Sequence, residues 1–147
     1  MAQPAHTSWP DHAMSALQGA GYRSGGARRQ VVEFLGRQDC ALTALEIDQG
    51  LPGVGRASVY RALEQLEQLH LVQSLDVGRD AKGYERIDPG GEHHHHIVCS
   101  RCGKVVPFED SRLERAIDAV ASESGFDVRG HEVTLRGRCG PCSKLRS

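Results

Sequence analysis

Two Cys-x-x-Cys pairs constrain this chain more than any other feature. They are Cys99-Ser100-Arg101-Cys102 and Cys139-Gly140-Pro141-Cys142. Each pair presents two thiolates together, and four thiolates fill a tetrahedral zinc site. The gap between the pairs is longer than in a simple zinc ribbon. It must therefore hold a small fold of its own, a strand–helix–strand insert that brings both pairs to one end. A structural zinc site at Cys99, Cys102, Cys139 and Cys142 is the expectation. Cys-Gly-Pro-Cys is also a redox tetrapeptide, but that chemistry needs a following helix. Only Ser143-Lys144-Leu145-Arg146-Ser147 follows, and a redox role would leave the first pair unexplained. The fifth cysteine, Cys40, reads as a small buried apolar residue.

A run of four histidines, His93-His94-His95-His96, precedes the first pair. The zinc set does not need them. On a strand they alternate between faces, His93 and His95 one way, His94 and His96 the other. Two imidazoles per face can seed two sites, for which Glu85, Asp88, Glu114 and His131 are candidate partners. The competing reading is a polar strand with incidental histidines. Glu114 also has a structural role open to it, because Ser111-Arg112-Leu113-Glu114 has the form of a capping box.

The 147 residues allow one ordinary domain or two small ones. Thin cores in two small domains would benefit from a metal staple or a dimer interface. No stretch is long and apolar enough to span a membrane. Residues 1–11 show neither a basic leader nor an apolar run, so a reducing, cytoplasmic location is expected.

Along the first half, residues 1–10 read as a loose tail. Helices are predicted over 11–19, capped by Asp11, and over 27–36. A third starts from the capping box Thr43-Ala44-Leu45-Glu46 and runs to about Gln49. The clearest helix is 58–69, with Val59, Leu63, Leu66 and Leu69 at helical spacing. Two β-prone segments follow, 71–77 and 84–87, around a glycine-containing loop. The last three of these helices followed by a hairpin is the order of a winged helix-turn-helix. Asp88-Pro89-Gly90-Gly91 punctuates the chain. The expected organisation is a tail over 1–14, a winged-helix DNA-binding domain over 15–88, a hinge over 89–92 and a dimerisation and metal-binding domain over 93–147. In the last part, strands are predicted over 94–99, 105–108 and 127–135, and a helix over 111–122 with Leu113, Ile117 and Val120 as its apolar stripe. The fold class is α+β.

The formal net charge is −1, which gives no bulk attraction for nucleic acid. Arg23, Arg28, Arg29, Arg37, Arg56 and Arg61 nevertheless crowd the first half, and a basic face on a neutral protein is compatible with DNA binding. A solvated helix surface is the alternative for those charges.

The chain resembles the ferric uptake regulator family of metal-dependent repressors from about Gly21 to Cys142. The resemblance is carried by Ala57-Ser58-Val59-Tyr60-Arg61-Ala62-Leu63, by His93-His94-His95-His96-Ile97-Val98-Cys99-Ser100-Arg101-Cys102-Gly103-Lys104 and by Cys139 to Cys142. It implies a homodimer that binds a palindromic operator when its regulatory metal is present. It implies structural zinc on the four cysteines. It further implies a site in the dimerisation domain on His93, His95, Glu114 and His131, and a regulatory hinge site that includes His94 and His96. Iron- and peroxide-sensing members add a histidine near position 41 and a carboxylate near position 107, where this chain has Ala41 and Pro107. Zinc-sensing members with this motif add an aspartate near Gln73 and a cysteine near Ile87 or Asp88, also missing. The hinge set that remains is Glu85, Asp88 or both, with His94 and His96; a further ligand is unassigned, and His70 is a candidate for it. Imidazole-rich sites suit zinc, so a zinc uptake regulator is expected, with iron or manganese as the alternative metal.

For DNA, the helix from Ser58 would enter the major groove. Tyr60 offers a ring for thymine methyls and Arg61 a fork for guanine or phosphate. Ser58 and Arg56 stand where a helix start approaches phosphate, and Arg23 could reach the minor groove. Core packing is the competing role for Tyr60. No enzyme is expected, because His131-Glu132 is not followed by the second histidine of a zinc hydrolase. A metal buffer would leave the winged-helix half unexplained.

Overall fold

The computed structural model describes residues 8–23, 25–78, 80–89 and 94–145. The chain divides into two compact units, Met1–Glu92 and His93–Ser147. Among the described residues no helix is long and apolar enough to cross a membrane.

The first unit holds four helices and a three-stranded sheet: α1 (Trp9–Gly19), α2 (Gly26–Gly36), β1 (Leu42–Thr43), α3 (Ala44–Gly50), α4 (Arg56–Gln68), β2 (Val72–Gly78) and β3 (Ala81–Arg86). The expected loose tail is corrected at its end. Trp9 and Pro10 form the first turn of α1, and the cap is Ser8, whose hydroxyl accepts from the Asp11 amide at 3.3 Å. Proline suits that turn because its missing N–H has no helical partner there. Trp9 is buried, and its indole donates to the Ile87 carbonyl at 3.1 Å. Thr43 and Glu46 complete the predicted capping box of α3.

The helical stripes meet in one core. Val31, Val32 and Leu35 of α2 and Val59, Leu63 and Leu66 of α4 are all buried. Each such side chain contributes about 1.5–3 kcal/mol of transfer free energy. The sheet order is β1-β3-β2, all antiparallel. Its hairpin is longer than predicted, because β3 begins at Ala81 rather than at 84.

The second unit contains β4 (His95–Cys99), β5 (Val105–Phe108), α5 (Ser111–Ser124), β6 (Thr134–Gly137) and α6 (Gly140–Ser143). Its sheet has the order β5-β4-β6, with β5 antiparallel and β6 parallel to β4. A parallel neighbour requires a crossover, and α5 lies in it. The strand predicted over 127–135 is corrected to Thr134–Gly137. The expected stripe of α5 does not form a core either. The helix has no fully buried residue, and Val120 is 67% exposed. The buried residues of this unit are His95, His96, Val98, Cys99 and Cys142 among those described, so its centre consists largely of metal-ligating residue types.

Candidate metal centres

β4 delivers Cys99 at its C-terminal end. A tight turn then brings Cys102 back, with the Gly103 amide donating to the Cys99 carbonyl at 2.9 Å. Gly103 has φ +78°, a conformation that costs little only without a Cβ. The second pair arrives because β6 runs parallel to β4 with Gly137 in register with Cys99. Cys139 then caps the single helical turn α6, which carries Cys142. That turn was not predicted, and with four residues it is far from the long helix of a redox tetrapeptide.

The four sulfur atoms all lie within 4.8 Å of one another. Cys102 Sγ and Cys139 Sγ are 3.8 Å apart. A zinc tetrahedron with ~2.3 Å bonds has sulfur–sulfur edges of roughly 3.8 Å, so the donor set fits zinc in type, number and span. Backbone amides of Cys102 and Cys139 point at Cys99 Sγ at 3.5 and 3.4 Å, and they lower the Cys99 thiol to about 5. The hydrogen bond with Cys139, together with burial, pushes the Cys142 thiol up to about 12. Neighbouring thiols thus resist ionising together, and a divalent cation is the charge that would let all four do so.

The histidine run behaves as strand alternation requires. His95 projects toward α5, where Nε2 meets the Glu114 carboxylate, and Glu114 Oε2 in turn meets His131 Nε2 at 2.8 Å. His95, Glu114 and His131 place one donor atom each within 4.8 Å. The hydrogen bond with His95, seconded by His131, holds the Glu114 carboxyl below its ordinary value. Glu114 does not serve as a capping-box residue. The cap of α5 is Asp110, whose carboxylate accepts from the Arg112 and Leu113 amides at 2.9 and 3.4 Å. Aspartate is as good a cap as serine, so the capping box expected from Ser111 is corrected to a cap one residue earlier, at Asp110. The Val133 amide donates to His95 Nδ1 at 3.3 Å. With these partners a neutral His95 carries its proton on Nε2. Ligation of a metal through Nε2 would require that proton to move to Nδ1 and the Val133 amide to turn away.

On the opposite face of the strand, the His94 and His96 rings stand edge-on with centroids 5.0 Å apart. His96 is buried and His94 half-buried. Their predicted co-ligands belong to the first unit. Glu85 is buried on β3 and accepts from the Gln73 amide at 3.3 Å. Asp88 pairs with Arg86 at 3.3 Å. The Arg86 guanidinium also donates to the carbonyls of Gly36 and Gln38 at 2.7 and 2.9 Å. His70 is exposed, with φ +56°. His93 lies outside the described residues.

Of the residues expected to meet DNA, Tyr60 is 48% exposed on α4, which removes the core-packing alternative. Arg61 and Arg23 are exposed and Ser58 is half-buried. Arg56 is exposed and pairs with the half-buried Asp48 at 3.1 Å.

A sequence profile of the ferric uptake regulator family matches residues 19–136. The ferric uptake regulation protein of Campylobacter jejuni is 39% identical over 105 residues, 70% of this chain and 66% of that protein. The ferric uptake regulation protein of Campylobacter upsaliensis is matched over 64% of its length, so the chain spans somewhat under two thirds of these relatives. That of Bordetella parapertussis is 31% identical over 137 residues, 90% of this chain and 97% of the relative. Among solved structures, the Helicobacter pylori ferric uptake regulator has a TM-score of 0.81 at 26% identity, covering 100% of both chains. The Vibrio cholerae regulator has 0.76 at 28%, covering 85% of this chain and 98% of its own. On both the profile and the full-length relative, this chain belongs to the ferric uptake regulator family.

Proposed function

We propose that the chain is a metal-dependent transcriptional repressor that binds operator DNA as a homodimer when loaded with regulatory zinc, and so controls metal uptake genes. The family is one of transcriptional regulators, not of enzymes. One observation carries the reading. A helical unit exposing Tyr60 and Arg61 is followed by a strand whose histidines divide between two faces, one of them already joined to Glu114 and His131.

Cys99, Cys102, Cys139 and Cys142 would hold structural zinc and organise the second unit. His95, Glu114 and His131, with His93, would form a dimerisation-domain site. His94 and His96, with Glu85 and Asp88, would supply imidazole and carboxylate donors to the regulatory ion, whose chemistry is to hold donors from both units together. Half-sites on one duplex demand a set separation, and only binding that differs between two arrangements shifts their populations. Arg61 and Arg23 would make the groove contacts, while Ser58 and Arg56 would meet phosphate. Val120 and Phe126, 67% and 81% exposed, supply apolar area for a second copy.

Zinc is favoured by the imidazole-rich donors and by Ala41 and Pro107, which supply no ligand. Iron is the second reading, because the curated relatives are named for ferric uptake. The Helicobacter pylori regulator is described as having three functional metal-binding sites, and a Pseudomonas aeruginosa relative was solved with manganese.

A gel shift on duplex selected by the chain, with zinc, ferrous ion or chelator, tests the proposal. Zinc-dependent retardation is expected, and equal binding in all three conditions would refute it. Alanine at His94 or His96 is expected to leave a folded dimer whose affinity no longer rises with metal. An undiminished metal response in both variants would exclude the regulatory pair.

A further inference from the structure

Arg28 stands apart from its neighbours in the first unit. Arg23, Arg29, Arg56 and Arg61 are exposed, whereas Arg28 is half-buried. Its Nε donates to Gln65 Oε1 on α4 at 2.7 Å. An Nη donates to the backbone carbonyl of Arg23. The same guanidinium lies 5.1 Å from the centroid of the Tyr22 ring, within the range of a cation–π contact. One planar cation therefore spans α4, the segment ahead of α2 and the ring that opens that segment. A groove of about 200 Å³ runs beside it, bordered by Gly25, Ala27, Ser58 and Arg61.

We propose that Arg28 is a positioning residue that fixes the Arg23 segment against α4, so that Arg23 and the Tyr60–Arg61 pair address duplex DNA at a set spacing. The inference rests on the DNA-binding reading above. A minor groove and the adjacent major groove are separated by one sugar-phosphate strand. Two contacts that straddle this strand gain from being spaced before binding, because an unanchored segment must be ordered on the DNA at an entropic cost. Arg28 does this with a rigid fork, which lysine, a point charge on a flexible stem, does not reproduce. Nε and one Nη are engaged within the protein, so the role assigned to Arg28 is positioning and not phosphate neutralisation.

The test uses the full chain loaded with zinc, and as probe the duplex that the parent chain selects from a randomised pool. Affinity is measured by fluorescence anisotropy across a salt series for the parent, R28K, R23A and the double variant. R28K is expected to bind about tenfold more weakly, with the parent's salt dependence. The double variant is expected to bind no more weakly than R23A, because the work of Arg28 passes through Arg23. The proposal is overturned if R28K binds like the parent or costs a further tenfold in the R23A background. It is equally overturned if Arg28→Gln, which removes the cation, lowers the salt slope by about 1, as loss of a phosphate contact does. Should R28K fail to fold, Gln65→Ala removes the α4 anchor alone and must show the same non-additivity with R23A. A parent chain that selects no sequence overturns the DNA-binding reading itself, which is distinct from a selecting parent with additive variants.

Discussion

Asp110 shows how one side chain can redirect its neighbours. Its carboxyl is held well below the ordinary carboxylate range, first by the Arg112 side chain and then by the Arg112 amide. Because it takes the capping role, Glu114 is left to the two imidazoles. A carboxyl depressed in the folded state adds stability above its unfolded value, near pH 4, and that contribution fades as pH falls toward the folded value. Asp110→Ala is therefore expected to melt at a lower temperature than the parent near neutral pH. The difference, followed by circular dichroism, should shrink as pH falls below about 4. A gap that widened in acid would show that the ionised carboxylate is not what caps α5. At this scale the ligand types were legible in the sequence, since thiols and imidazoles at knuckle and strand spacing admit few other roles. The partners of Arg28 were not. Gln65 and the Arg23 carbonyl are joined to it only by the fold, and no local pattern marks them.

The elements were legible where their partners lie within the same unit. Val59, Leu63 and Leu66 repeat at helical spacing because α4 packs on α2, and the prediction for that helix missed its start by only two residues. β1 went unseen because two residues carry no period. The segment 127–135 was misjudged for a different reason. Val128, Val133 and Leu135 suit a strand, but a strand needs a neighbour to satisfy its backbone, and pairing with β4 begins only at the Val133 carbonyl and Thr134. Gly83 illustrates how tightly the wing closes. A Cβ there would stand 2.7 Å from Val77 Cγ1 and 3.2 Å from Ala41 Cβ. Alanine gains about 0.5–1 kcal/mol over glycine within a strand, against about 1–3 kcal/mol for overpacking a buried site. The second effect wins, so Gly83→Ala should lower the urea midpoint without changing its slope. A stabilised variant would mean that Val77 yields freely.

Over the whole molecule, the two units rest on different physics. The apolar cluster from Trp9 to Val72 belongs entirely to the first. The second has little apolar core of its own, and its clustered thiols resist ionising together until a cation unites them. Chelation is therefore expected to melt the second unit while the first stays folded, giving separated transitions in denaturant where the loaded chain gives a smaller separation. Cys99→Ala should behave like the chelated parent. A zinc-free variant with an intact second unit would contradict this division of labour.

The same division is written into the optics of the chain. Its one tryptophan, Trp9, and its three tyrosines, Tyr22, Tyr60 and Tyr84, all precede Glu92. Ultraviolet emission therefore reports on the amino-terminal half alone, and the carboxy-terminal half is dark at those wavelengths. A coloured ion such as cobalt, seated among the thiolates, would give that silent half its own absorption band. The two halves could then be watched separately in one cuvette, with no label attached.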